Sequence, residues 1–356
     1  MTSRARVAEA DQASTAFHTA LAQLGVATIE DALKLWDGVP PIRTAALSAA
    51  WLRRAIHLVM TRRERGRDLA MAYYRLVRAL RTGRTVADPR RPEPAYVTLA
   101  TLRSEFAALV DPAPAATTQA APENAGPAAR DAPPDTPAND DARDDPDQIL
   151  VEQIEALDRE LQRLEQAAED EARIALEELG PHNLGRKVAD IDTSAPANEV
   201  DRLRDDAHRR AGTRQAAAAE RLVMNGARSA AWTLIDRDRR ALGYVRLSRS
   251  GTPCGWCAML ISRGAVYKSA RTAQYADGDA YHDNCHCYAE PVFARDQFTG
   301  SARYALNREY GALWPQVTQG LSGKAALSAW RRFIPSTASR SPAGAATFER
   351  PGGAKP

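Results

Sequence analysis

Two short stretches, Cys254-Gly-Trp-Cys257 and His282-Asp-Asn-Cys-His-Cys287, hold every cysteine of this chain of 356 residues. The first has the spacing Cys-x2-Cys. The second follows after 24 intervening residues with the spacing His-x2-Cys-x-Cys. A Cys-x2-Cys turn places two thiolates on one side of a metal ion, and a second chelating segment supplies the remaining ligands. Zinc accepts both cysteine and histidine, so the pattern predicts a structural zinc site.

The candidate ligands outnumber the four places of a closed zinc site. Three cysteines are the preferred ligands, and one of two further residues is expected to complete the set. His286 lies between two cysteines and can equally point away from the metal. The predicted ligands are Cys254, Cys257 and Cys285, followed by His282 or Cys287.

Three other kinds of site are compatible with these residues. Two disulfides are an alternative if the protein reaches an oxidising compartment. The Cys-Gly-Trp-Cys sequence is typical of thiol redox sites, but those lie at strand-to-helix junctions of α/β folds, and no such strand pattern surrounds this one. A catalytic Cys–His pair lacks a clear orienting partner, although Asp283 and Asn284 are close in sequence.

The sequence around the cysteines predicts a small β unit over about residues 242–295. One strand is expected over 242–249 and another over 288–293, with one or two helical turns between them that end at Gly264. Residues 265–268 are strand-like. A unit of this size has little core of its own, so zinc would supply much of its stability.

Composition and charge limit the class of protein. No window of about 18 apolar residues occurs, so no transmembrane helix and no membrane partner are expected. The N-terminus lacks the apolar core of a signal peptide, so we expect synthesis in a cytoplasm, where reduced thiols favour metal over disulfides. The net charge of +3 is too small for a polycation.

Outside the cysteine unit, apolar residues recur at helical spacing, which predicts a mainly α fold. A helical N-terminal domain is expected over residues 1–110, including a short strand-like piece and a short helix over 94–110. Three longer helices are expected in this domain. The first covers residues 3–24 and ends at Gly25, the second begins after Thr28 as its capping residue, and the third covers 41–80.

The long helix is rich in arginine. Between positions 43 and 91 there are 13 arginines against Glu64, Asp68 and Asp88. One interpretation is a surface that faces nucleic acid or a portal. The other is a solvated helix face in an arginine-rich protein. No aromatic or motif pattern accompanies the arginines, which favours the second interpretation.

Residues 111–148 differ from the rest of the chain. They are rich in Pro, Ala and Asp and have no apolar periodicity, which predicts a disordered acidic linker. A helical C-terminal domain is expected over 149–334 and a disordered tail over 335–356. The C-terminal domain begins with a heptad pattern of apolar residues, formed by Leu150, Ile154, Leu157, Leu161 and Leu164. This pattern predicts a helix that ends at Gly180-Pro181. A helical hairpin or bundle contact is expected in preference to a free coiled coil.

Beyond Pro181, residues 183–196 are loop-like, and a second helix is expected over 198–235.

The segments 253–267 and 281–293, which contain the cysteines, resemble the minor head proteins of actinobacterial tailed phages. Those proteins are similar to the Mu F-like head-morphogenesis family, whose signature is Cys-x2-Cys followed by His-x2-Cys-x-Cys. Residues 27–36 and 72–83 resemble the same proteins, so the resemblance covers about 10–110 and 200–300.

The resemblance implies a component of the virion head, assembled in the host cytoplasm. The leading hypothesis is that this component is not an enzyme. It implies the portal protein and the major capsid or scaffold protein as partners in head assembly, packaging or ejection. The arginine-rich helix makes DNA a further candidate partner. A capsid maturation protease or other thiol-dependent hydrolase is one alternative, although the chain has neither a Gly-x-Ser-x-Gly nor a His-Glu-x2-His motif. A zinc-knuckle nucleic-acid-binding protein is another.

Overall fold

The computed structural model describes residues 3–40, 45–111, 147–248, 253–264 and 287–338. They form a mainly helical protein, as predicted, and it contains two small sheets. The helices are α1 (Ser3–Asp37), α2 (Ala45–Thr82), α3 (Leu99–Val110), α4 (Leu157–Glu177), α5 (Asn183–Ala189), α6 (Ala197–Arg237), α7 (Gly255–Ser262), α8 (Arg295–Gly300), α9 (Ala305–Val317) and α10 (Gly323–Ala338). The strands are β1 (Arg84–Val86), β2 (Tyr96–Thr98), β3 (Gln148–Glu152), β4 (Gly243–Ser248) and β5 (Cys287–Val292). No helix in these ranges is long and apolar enough to cross a membrane.

Three long helices, α1, α2 and α6, pack against one another and form the centre of the molecule. Their buried side chains belong to one hydrophobic core, which includes Phe17, Trp36, Trp51, Tyr73 and Leu222. Residues 69–80 of α2 are buried on every side, because α3 and α4 also pack against this helix. Residues from both sides of the predicted linker therefore share one core. The sequence analysis placed them in two helical domains and did not predict this contact between α6 and the N-terminal helices.

The first sheet also joins the two sides of the predicted linker. Strand β3 lies in its middle, parallel to β1 and antiparallel to β2. Leu150 stands opposite Arg84 on one side and opposite Tyr96 on the other. The predicted strand-like piece and helix over 94–110 are confirmed as β2 and α3. Leu150, by contrast, belongs to a strand, so the prediction that the heptad helix begins there is wrong.

Several helix ends differ from the prediction because tertiary packing overrides local signals. Helix α1 continues through Gly25, whose missing side chain lets Glu220 of α6 approach closely. Thr28 does not cap a new helix, since its hydroxyl donates to the carbonyl of Leu24 within α1 at 2.7 Å. Gly180-Pro181 lies in a π-helical turn that leads directly into α5, over residues predicted to be loop.

Candidate functional site

The two strands that the sequence predicted beside the cysteine segments are present, and they form an antiparallel pair. Gly243 lies opposite Val292, and at the other end Ser248 lies opposite Cys287. The chain leaves β4 toward α7 at the end of the ladder where β5 begins. This register therefore places Cys287, the first residue of β5, at the same end of the sheet from which the chain continues into the Cys-x2-Cys segment.

The Cys-x2-Cys segment forms the start of α7. Cys254 is the capping residue, and its sulfur accepts a hydrogen bond from the backbone N–H of Cys257 at 3.4 Å. Cys254 is exposed. The partial positive charge at a helix N-terminus stabilises a thiolate, which is the form that binds metal. Helix α7 ends at Ser262, and Gly264, which the sequence predicted to close the helical turns, follows two residues later with a φ of +66°.

Cys257 and Cys287 lie inside the protein, 2% and 3% exposed. They belong to a second hydrophobic cluster that includes Ile261 of α7 and Trp330 of α10. Helix α10 lies close to α7, since a methyl group on Gly255 would come within 2.5 Å of the Arg331 side chain. The two buried thiols are therefore placed by packing from three elements, which are α7, β5 and α10.

Cys254, Cys257 and Cys287 lie near one another, so three of the five predicted ligands are brought to one place. Sulfur ligands in such a set are those that zinc prefers. His282 and Cys285, like His286, lie outside the described residues. In the ranges that the structure describes, no group of three or more His, Cys, Asp or Glu side chains is placed to hold a metal ion. The zinc site stays a prediction.

Most arginines of the arginine-rich segment 43–91 bind carboxylates of the chain itself. Arg75 is 2% exposed and pairs with Glu93 at 2.8 Å and Glu105 at 2.7 Å. Ion pairs thus occupy many positions that the sequence assigned to a solvated or nucleic-acid-facing surface. These positions are Arg62, Arg63, Arg67, Arg75, Arg78, Arg81, Arg84, Arg90 and Arg91.

The most deeply buried of these networks centres on Arg78. Its guanidinium donates to both carboxylate oxygens of Asp238, at 2.5 and 3.0 Å, and also to Glu152. Burial has the largest single effect and raises the pKa of Asp238. Hydrogen bonds from Arg78, the backbone N–H of Arg240 and the Tyr74 hydroxyl, together with the Arg78 charge, outweigh it, so the pKa lies below its ordinary value. Hydrogen bonds from Arg240, and then from Arg78, lower the pKa of Glu152 to about 2.

A buried carboxylate on β5 forms a further polar cluster that the sequence did not reveal. Glu290 is 1% exposed and accepts hydrogen bonds from the hydroxyls of Ser14 at 2.8 Å and Tyr73 at 2.7 Å. His18 Nε2 lies 3.8 Å from the same oxygen, and the His18 ring stacks on Tyr288. Burial raises the pKa of Glu290 above its ordinary value. The sequence offered one signal of this cluster, which is that Glu290 is the single acidic residue of an otherwise apolar strand.

Ser14, His18 and Glu290 are residue types that occur in hydrolytic triads. Here the serine hydroxyl donates to the carboxylate, whereas a triad serine donates to the histidine. Ser14 is 0% exposed and His18 is 5% exposed, so no substrate reaches the hydroxyl. The hydrogen bonds of the cluster connect α1, α2 and β5.

No curated protein and no solved structure matches the chain. A family model described as "VG15 protein" matches residues 183–313. The matched segment begins at α5, ends within α9 and contains both cysteine stretches. Residues 183–313 of this chain are therefore similar to the VG15 protein family.

Proposed function

We propose that this chain is a minor head-morphogenesis protein of a tailed phage, a structural component that acts beside the portal and the capsid or scaffold protein. The observation that carries the proposal is the pair of cysteine segments, whose spacing resembles that of the Mu F-like proteins. The match of residues 183–313 to the VG15 model covers the same segments.

The placement of the thiols favours a structural role over thiol catalysis. A catalytic cysteine needs contact with its substrate, and reactive cysteines are partly exposed. Cys257 and Cys287 are instead packed against Ile261 and Trp330. Most arginines of α2 are bound to carboxylates of the chain, so DNA is not included among the proposed partners.

Zinc fits the donors that the structure describes. Cys254 and Cys257 at the start of α7 would hold it together with ligands from 282–287, of which Cys287 is the one described. Bound zinc would act as a cross-link between α7 and β5. Asn307 of α9 connects α7 to the neighbouring strand β4, because its amide donates to the carbonyls of Arg246 at 2.9 Å and Ile261 at 3.0 Å.

The metal is tested by elemental mass spectrometry on the purified full-length protein. We expect about one zinc per chain, with loss of zinc and of thermal stability in Cys257→Ser. His57→Gln, an exposed histidine on α2, is the matched control and keeps its zinc. Well under one equivalent of zinc, with all four thiols reduced, contradicts the site.

The function is tested with the phage proteins themselves. When the chain is co-expressed with its cognate portal and capsid proteins, we expect it to sediment with the portal ring and to be present in purified heads. Heads that assemble normally without the chain, and virions that lack it, contradict the proposal. Specific cleavage of the capsid protein that is lost in Cys257→Ser but kept without zinc indicates a protease instead.

A further inference from the structure

One face of α2 is exposed and carries both apolar and basic side chains. Arg54, Leu58, Thr61 and Arg65 follow at spacings of four, three and four, which places them on one side of a helix. Between this side and the end of α1 lies a groove of about 500 Å3. It is lined by Leu35, Arg53, Arg54, His57, Leu58, Thr61 and Arg62.

The groove has an apolar floor and a basic rim. Leu35 and Leu58 are half-buried and pack on the hydrophobic core. At the rim, Arg62 binds Asp31 of α1. Arg53, Arg54 and the neighbouring Arg65 are exposed, and no carboxylate of the described residues forms an ion pair with them. The groove therefore suits an occupant with an apolar side chain and negative charge.

Helix α4 presents a surface with the complementary properties. Ile174 is 65% exposed, the highest value for a large apolar residue in the described part of the chain. Ala167 and Asp170 lie on the same side of the helix, seven and four residues before it, and both are exposed. Within the described residues, Asp170 has no ion-pair partner, whereas its neighbours Glu169 and Glu171 are bound by Arg173 and Arg221.

We propose that the groove on α2 binds helix α4 of a second copy of this chain. Ile174 would fill the apolar floor over Leu35 and Leu58, and Asp170 would lie against the arginines of the rim. Among the described residues, the exposed arginines of the groove rim have no carboxylate partner, and Asp170 on α4 has no cationic partner. Each copy therefore carries both halves of the proposed contact. The two surfaces differ, so the contact is head-to-tail, and the copies form rings or open chains.

The test is the oligomeric state of the full-length protein by sedimentation velocity over a range of concentrations. We expect reversible association that weakens as salt rises, because exposed charges are screened. The groove variant carries Arg53→Glu and Arg54→Glu, and the donor variant carries Ile174→Asp. Each is expected to raise the dissociation constant about tenfold or more. All changed positions are exposed, and circular dichroism melts check that the variants fold.

Mixing the two variants separates this contact from any other mode of association. The groove variant keeps an intact α4 surface, and the donor variant keeps an intact groove. Their equimolar mixture is therefore expected to form one-to-one pairs and nothing larger. Arg202→Glu, an exposed charge on α6, is the matched control and associates like the unchanged protein.

Three outcomes overturn the proposal. The first is a protein that stays monomeric at every concentration. The second is association that neither variant weakens. The third is a mixture of the variants that fails to pair. If, in addition, the groove variant loses binding to an acidic partner protein or to DNA, tested separately, then the groove binds that partner and not a second copy.

Discussion

Arg78 lies between two carboxylates that come from distant parts of the chain, Glu152 and Asp238. The side chains of Arg78 and Asp238 are each 2% exposed. Two charges that are removed from water in this way depend on each other, because either one alone would keep its desolvation cost without the attraction. The sequence showed an arginine-rich helix, but it could not show which arginines have such partners.

We expect Arg78→Met to lower the free energy of unfolding by about 3–5 kcal/mol, because it leaves the carboxylate of Asp238 buried without its cation. Adding Asp238→Asn should recover part of the loss. Denaturant titration measures both effects. Arg53→Met, at an exposed position, is the control and should change stability by about 0.5 kcal/mol at most. Equal losses at positions 53 and 78 would contradict this assignment.

Glu290 predicts a pH dependence of stability. Its pKa is raised in the folded protein, so the folded state keeps a proton at pH values where the unfolded carboxyl has lost it. The stabilisation is complete below the unfolded value near 4.5 and is lost as pH rises through the folded value. A tenfold difference in proton affinity between the folded and unfolded states corresponds to about 1.4 kcal/mol of stability.

Glu290→Gln removes this titration and keeps an oxygen that accepts from Ser14 and Tyr73. We therefore expect the stability of the unchanged protein to fall relative to Glu290→Gln as pH rises from about 4.5 to 8. Urea titrations at several pH values measure the difference. A difference that does not vary with pH, or that grows in favour of Glu290, shows that the carboxyl is not held protonated.

At the scale of elements, α2 and α6 approach closely where Gly226 faces Arg63. A methyl group at Gly226 would lie 2.5 Å from Arg63 Cγ and 2.7 Å from the Arg63 carbonyl oxygen. At Gly66, which is also inside a helix at this interface, the nearest atoms are 3.5 Å away. One glycine is therefore required by the contact between two helices, and the other is not.

We expect Gly226→Ala to destabilise the protein by about 1–3 kcal/mol, because the helices must move apart. Gly66→Ala should stabilise it by about 0.5–1 kcal/mol through the higher helix propensity of alanine. Thermal melts of the two variants measure the contrast. If both variants shift in the same direction, then helix propensity and not helix spacing controls these positions.

At the scale of the whole molecule, β3 lies between β1 and β2, and α6 packs on α1 and α2. Residues 1–111 alone lack both β3 and α6. We expect this fragment not to unfold cooperatively on its own, and to co-purify with residues 147–356 when both are expressed as separate chains. Affinity purification through a tag on one fragment and circular dichroism melts test this. A cooperative melt of 1–111 alone would instead support two independent domains.

The sequence by itself determined the helical class, the long helices α2 and α6, and the two strands beside the cysteines. These features follow from local periodicity and from turn residues, which act over a few positions. It also singled out the cysteines, three of which lie together. Only the tertiary structure decided the common core, the partners of the arginines and the burial of Glu290. The reason is distance along the chain: Ser14 and Glu290 are 276 residues apart, and no local pattern encodes a contact between them.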